Sequence, residues 1–283
     1  MNNSCIIIIP IYKKELTEFE ILSLKQCCNI LQKYDICFVA PKDMECSEYV
    51  KIVSNFDVKY KFKFFSKSHF INIISYSKMM LDKNFYKEFL EYKYMLIYQL
   101  DAWVFRDELQ AWCNKGFDYI GAPWFEGYDN ADNNSLLLEK SGNGGFSLRN
   151  IESFYKTLIN YEENFKEKKV KTINKIYKKS GFVNFLLNIF KILKMYYSKK
   201  NKFSYIFENQ YEDTIIANYF EKFNKNFKVA TAKEAIAFSF EVLPKRLYEM
   251  NDNKLPFGCH AFKKYNWDFW EKYIKIQGGN NVK

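Results

Sequence analysis

The sequence predicts an α/β fold with a central, mainly parallel sheet flanked by helices. Three observations carry that expectation. Short apolar runs of strand length recur at residues 6–11, 36–41 and 94–100. Between them lie stretches whose apolar residues repeat at helical spacing, at 15–34 and about 70–90, the alternation that builds βαβ units. The third run closes on Asp101, and in open α/β sheets ligands bind beyond the carboxyl ends of strands.

Taken in order, Ile6 to Ile9 are four consecutive isoleucines stopped by Pro10, a run that suits a strand buried on both faces. Strand, helix and strand follow one another at the spacing of a parallel crossover. Residues 117–124 read as a strand and turn, followed by an Asn- and Asp-rich loop through Asn134. Next comes Gly142-Asn143-Gly144-Gly145-Phe146-Ser147-Leu148-Arg149, where the missing side chains allow close approach of backbone to a ligand, or simply a tight turn. Lysines then crowd residues 166–202 around the apolar segment 181–197. Asn184, Asn188, Lys191, Lys194 and Ser198 form one narrow polar stripe on that segment, which predicts a helical insertion and interrupts any membrane span. Such an insertion either docks on an anionic membrane surface or the lipid end of an acceptor, or packs against the catalytic domain or a dimer partner. Beyond it stand Glu212-Asp213 at the start of a helical pattern, a further acid at Glu241, and Gly258-Cys259-His260.

With 283 residues, 48% of them hydrophobic and 19% aromatic, the chain has material for one catalytic domain spanning 1–283 with that insertion, and lacks the composition of a disordered one. The net charge of +10 is mostly lysine gathered in the insertion, and no nucleic-acid-binding motif accompanies it. The seven cysteines show neither disulfide-like nor zinc-ligand spacing, so reduced thiols in the cytoplasm are expected. The apolar run 5–9, stopped by Pro10 and preceded by no basic leader, is too short for a signal-peptide core.

Asp101 and His260 are the candidate ligands of a divalent cation, one a hard oxygen and the other an imidazole. Taken singly, Asp101 also suits a strand-end cap and Glu212-Asp213 suit the first turn of any helix. Their order is more telling. Residues 98–101, 117–124, 142–149, Glu212-Asp213 and residues 255–262 together resemble a bacterial glycosyltransferase family of GT-A type, long catalogued as a domain of unknown function (DUF5672-like), over about 6–270. The resemblance implies a DxD-like motif, a glycine-rich loop, an xED motif and a late histidine. It therefore implies a nucleotide-sugar donor held by Gln99, Asp101, Lys78, Trp103 and Arg149. A sugar or acceptor would lie on Trp124, Asn143, Gly144, Gly145 and Phe146. Asp213 would be the general base, with Glu212 second, and Asp101 and His260 would bind Mn2+ or Mg2+. Gln99 stands where the motif has its first aspartate, which removes one charge from the metal site. The expected donor is a UDP-hexose, galactose or galactofuranose, and the expected acceptor a bacterial surface glycan or glycolipid, with inversion. A catalytically decayed domain that binds glycans is the alternative. A monomer or homodimer, cytoplasmic or peripheral on the inner membrane face and without nucleic acid, completes the expectation.

Overall fold

The structure is a computed structural model and describes residues 4–164 and 210–274. The expected insertion at 166–202 lies outside them. Eleven strands are defined among the described residues: β1 (Cys5–Pro10), β2 (Asp35–Pro41), β3 (Tyr60–Phe65), β4 (Tyr94–Tyr98), β5 (Trp103–Val104), β6 (Tyr119–Ile120), β7 (Ala122–Phe125), β8 (Leu137–Gly142), β9 (Phe146–Asn150), β10 (Ser239–Phe240) and β11 (Gly258–Cys259). Six form the main sheet in the order β3-β2-β1-β4-β9-β6. The pairs β1–β2, β2–β3 and β1–β4 are parallel, while β9 runs antiparallel to both β4 and β6. The mixed α/β architecture with a mainly parallel sheet is thus present.

The isoleucine run is buried on both faces because alternate side chains feed two separate cores. Ile7 and Ile9 join Phe38 and Leu96 on one side. Ile6 and Ile8 join Val39, Met95 and Ile97 on the other. The helix Glu18–Ile30 covers the first face with Leu24, Cys27 and Cys28. Its start is fixed by a capping box in which Glu20 Oε2 accepts from the Thr17 backbone N–H at 2.8 Å, satisfying donors a helix end leaves open. The second face is covered by Met79 and Met80, Phe85, Phe154 of the helical residues 151–164, and Ile215 and Phe220 of the helix Glu212–Phe223.

Two elements differ from their periodicity. The pattern over 70–90 is broken into the helices Ile73–Met80 and Lys83–Lys87. Leu81 closes the first and Asp82 caps the second, accepting from Asn84 N–H at 2.9 Å, because a short carboxylate competes well for free helix donors. Residues 117–124 form parts of two sheets, since β6 joins the main sheet and β7 turns away to pair with β8. A small three-stranded sheet has the order β10-β11-β5. Among the described residues no helix is long and apolar enough to cross a membrane.

Candidate active site

Strand pairing assembles the site. The antiparallel register that matches Tyr98 with Phe146 continues by one step, with Gln99 N–H donating to Gly145 O at 2.8 Å. The turn after β4 therefore lies against the glycine loop. It is pinned from behind: Ala102 O accepts from Ser23 Oγ at 2.6 Å and from Tyr98 Oη at 3.2 Å. On the other side, β10 and β11 pair Phe240 with Cys259, and His260 N–H donates to Phe240 O at 2.9 Å. The next residues on each strand, Glu241 and His260, thus emerge side by side.

The result is a cluster around the His260 ring. Nε2 faces Asp101 Oδ1 at 3.1 Å and Gln99 Oε1 at 3.3 Å. Nδ1 lies 2.8 Å from Glu241 Oε1 and 2.9 Å from Asn143 Nδ2. Burial alone would depress this imidazole, but the neighbouring Asp101 and Glu241 carboxylates outweigh it and push its pKa up to about 10. Asp101 responds in the opposite sense. Burial raises its carboxyl, yet the His260 charge more than compensates and holds it below its ordinary value. Gly145 must lack a side chain here, since a Cβ would fall 2.0 Å from His260 Nε2. Gly144 is equally constrained, as its Cβ would meet Glu212 Oε1 at 2.2 Å. The glycine loop is therefore wedged between the histidine cluster and the acidic start of the helix Glu212–Phe223.

A cavity of about 430 Å³ opens beside this cluster at the carboxyl ends of β1 and β4, lined by Ile11, Tyr12, Lys13, Tyr49, Ile73 and Tyr76 among others and floored by Gln99 and Asp101. Its mouth carries exposed Tyr12, Ile71 and Ile73. Among the described residues no group of three or more His, Cys, Asp or Glu side chains is arranged to hold a metal. The convergent donors are one carboxylate, one imidazole and the Gln99 carboxamide. This set fits a divalent cation that keeps open positions for phosphate oxygens, because such ions are bound through few protein ligands at phosphate sites. Asp101, His260 and Gln99 would hold it.

The acidic pair divides sharply. Glu212 is buried, accepting from Ser77 Oγ at 2.7 Å and lying 3.5 Å from Arg149 Nη2. Both its oxygens are thereby engaged, which removes it as the second choice for base. Asp213 is half-buried, accepting from its neighbour's Thr214 N–H at 2.7 Å. Burial and the Glu212 charge push its carboxyl up to about 7. Arg149, expected at a diphosphate, is completely buried instead. Its guanidinium donates to Ser147 Oγ and Tyr86 Oη, both at 3.1 Å, and holds Glu212 from behind the loop. Since removing one partner strands a buried charge, Arg149→Met should cost about 3–5 kcal/mol of unfolding free energy, read by urea denaturation; an unchanged midpoint would show the pair to be dispensable.

The aromatic expectations also change. Phe146 is wholly buried against Tyr98, Phe238 and Phe257, so it is core. Trp103 packs edge-on to Phe262 in a further hydrophobic cluster with Phe125, Phe240 and Trp270. Trp124 is almost buried, lying against Gly142 with Tyr128 at its edge. None of the three presents an open platform to the cavity. Lys78 is half-buried two residues beyond Tyr76 on the helix Ile73–Met80 and does not line the cavity. Tyr12, Lys13 and Tyr76 were missed by sequence reasoning. The strand-end rule that singles out Asp101 applies equally to the end of β1 and would have found the first two.

Among solved structures the chain is similar to the galactosyltransferase LgtC in complex with donor and acceptor sugar analogues, at 11% identity over 96% of this chain and 92% of that one, with a TM-score of 0.49. It is also similar to the apo form of the glycosyltransferase GlyE of Streptococcus pneumoniae TIGR4, at 11% identity and a TM-score of 0.44, covering 95% of this chain but 60% of that one. A third is core-mannan synthase A of Aspergillus fumigatus in its Mn/GDP form, at 15% identity and a TM-score of 0.36, covering 44% of this chain and 43% of that one. At such identities and scores these likenesses transfer neither substrate nor mechanism. No curated protein matches the sequence. A family model does match, over residues 59–260, a range that contains Gln99, Asp101, the glycine loop, Asp213 and His260. On that match the chain belongs to the DUF5672 family of proteins of unknown function.

Proposed function

We propose that this protein is a nucleotide-sugar-dependent glycosyltransferase that moves a hexose from a nucleoside diphosphate to a glycan acceptor with inversion. The observation that carries the reading is the cavity at the ends of β1 and β4, bounded by Asp101 and Gln99, both of which contact His260. Its exposed apolar mouth suits a nucleobase. Its floor gathers the groups needed where a diphosphate departs. A divalent cation bound there would neutralise the charge that develops on the leaving diphosphate.

The chain's own residues supply the rest. Gly144 and Gly145 bring backbone up to the cluster, and the buried Arg149–Glu212 pair fixes that loop. Asp213, its proton affinity raised, is the base that takes the acceptor hydroxyl proton, and a base near neutrality suits that task. The donor is a UDP-hexose, galactose or galactofuranose, and the acceptor a bacterial surface glycan or glycolipid, met at the inner membrane face.

A thermal-shift screen of UDP-galactose, UDP-galactofuranose and UDP-glucose with Mn2+ tests this directly, because a ligand at a hundred times its Kd stabilises by about 2.7 kcal/mol. One of them should raise the melting temperature and be turned over with release of UDP. Binding without any turnover would favour a glycan-binding domain, the reading to which Gln99 points. No shift with any of the three would sink the UDP-hexose transferase reading.

A further inference from the structure

We propose that Tyr76 is a specificity residue whose hydroxyl donates a hydrogen bond to a hydroxyl of the transferred hexose. The inference rests on the nucleotide-sugar reading of the cavity. It starts from an atom without a partner. Tyr76 lines the cavity, yet its Oη is shielded from water and makes no hydrogen bond. Among the described residues Ser239 Oγ and Trp270 Nε1 share that state, and neither residue lines the cavity. Withdrawing a hydroxyl from water without replacing its hydrogen bond costs free energy, so native interiors rarely keep such a group. A ligand oxygen inside the cavity removes that cost on binding.

Position selects the part of the ligand. Ile73 and Tyr76 stand three residues apart on the helix Ile73–Met80, a spacing that puts them on one face. Ile73 is 59% exposed at the mouth, whereas the Tyr76 hydroxyl is covered. The groups around that hydroxyl lie inward. Glu212 and Arg149 both act on its charge, and the Gln99 carboxamide lies beside it without hydrogen-bond geometry. This is the end of the cavity next to the glycine loop, where a Gly144 Cβ would fall 2.2 Å from Glu212 Oε1. With the nucleobase at the apolar mouth and the diphosphate at Gln99 and Asp101, the hexose is the part of the donor that reaches this end. Because the ring borders open space, a small turn of the side chain brings its hydroxyl to a sugar oxygen.

The hydroxyl is a donor at any working pH. Burial and the Glu212 charge hold its proton well above the ordinary tyrosine range. Its backbone is fixed on both sides. Tyr76 N–H donates to Asn72 O at 3.0 Å, and the neighbouring Ser77 Oγ donates to Glu212 at 2.7 Å. A buried donor on so firm a support rejects a ligand that offers it no oxygen.

The test compares the wild type with Tyr76→Phe, which removes one oxygen and keeps the ring. Calorimetry in Mn2+ measures the affinities of UDP-galactose and of UDP. The variant is expected to bind UDP-galactose on the order of 10-fold more weakly and UDP within about twofold of the wild type, the loss of one hydrogen bond confined to the sugar. Urea denaturation without ligand gives a second readout. The midpoint of the variant should equal or exceed that of the wild type, because the free protein loses no hydrogen bond. A lowered midpoint would reveal a hydroxyl already partnered and overturn the inference, as would unchanged UDP-galactose affinity. Equal losses for UDP and UDP-galactose would move the contact to the diphosphate and overturn it as well. A wild type that binds no UDP-galactose overturns the donor reading on which the inference rests, a result distinct from all of these.

Discussion

Asp213→Asn is expected to lower turnover of the UDP-hexose by on the order of a hundredfold or more while leaving donor affinity nearly unchanged, the loss that follows removal of a positioned base. The substitution keeps the shape of the side chain and its acceptor oxygen for the Thr214 N–H. It removes only the ability to take a proton. The pH profile gives an independent check. Burial and the adjacent Glu212 charge push the Asp213 carboxyl up to about 7, so wild-type kcat should climb as pH rises through 7 and level off above it. The asparagine variant should lack that limb. Stability should move the other way. The folded protein holds this proton more tightly than the unfolded chain, whose aspartate titrates near pH ~3.9, so stability falls as pH rises from about 4 to 7. Asp213→Asn should flatten that slope and be the more stable protein at pH 8. Equal kcat in the two proteins, or an unchanged profile, would remove Asp213 from the chemistry. Glu212→Gln is expected to act mainly on stability, because Ser77 and Arg149 already occupy its oxygens.

Asp101→Ala and His260→Ala should each reduce transfer by at least a hundredfold and also weaken nucleotide binding, a different signature from the loss of a base. Asp101 is half exposed at the cavity and its Oδ1 lies 3.1 Å from His260 Nε2, so under the proposed function both residues would meet the cation and the departing diphosphate. Electrostatic groups at a developing charge contribute about 2.7–4 kcal/mol each. The measurement is UDP-galactose affinity by calorimetry in Mn2+ and in chelator, beside the steady-state rate. In the wild type, chelation should reproduce the defect of the variants. Full activity after exhaustive chelation would take the metal out of the mechanism and leave both residues as direct hydrogen-bonding partners of the donor. Gln99→Asp bears on the same point: restoring a second carboxylate beside Asp101 should tighten Mn2+ binding, since hard cations follow ligand charge.

The isoleucines of β1 and the apolar runs of β2 and β4 made three central strands legible, because a strand buried on both faces needs an unbroken apolar stretch whatever its neighbours are. The helix Glu18–Ile30 was legible through its periodicity, and Asp101 through its place after a strand. What periodicity could not supply was pairing across the chain. That β9 runs antiparallel beside β4, setting Gln99 against Gly145, depends on residues some 46 positions apart, and no local pattern encodes it. The same holds for Glu241, an acid noted in the sequence without a partner, which the β10–β11 register delivers to His260. Arg149 and Glu212 carried the wrong expectation for a related reason. A charged residue beside a motif reads as surface or substrate contact, and only the packed structure reveals a partner that lets it be buried: here they are 63 positions apart in sequence and meet behind the glycine loop. The sequence by itself determined which strands lie at the centre and that Asp101 follows one of them, because burial and strand length are written in local composition. The tertiary structure alone decided which acids meet at the cavity and which are buried in ion pairs, because a carboxylate's surroundings are set by the groups that meet it in space.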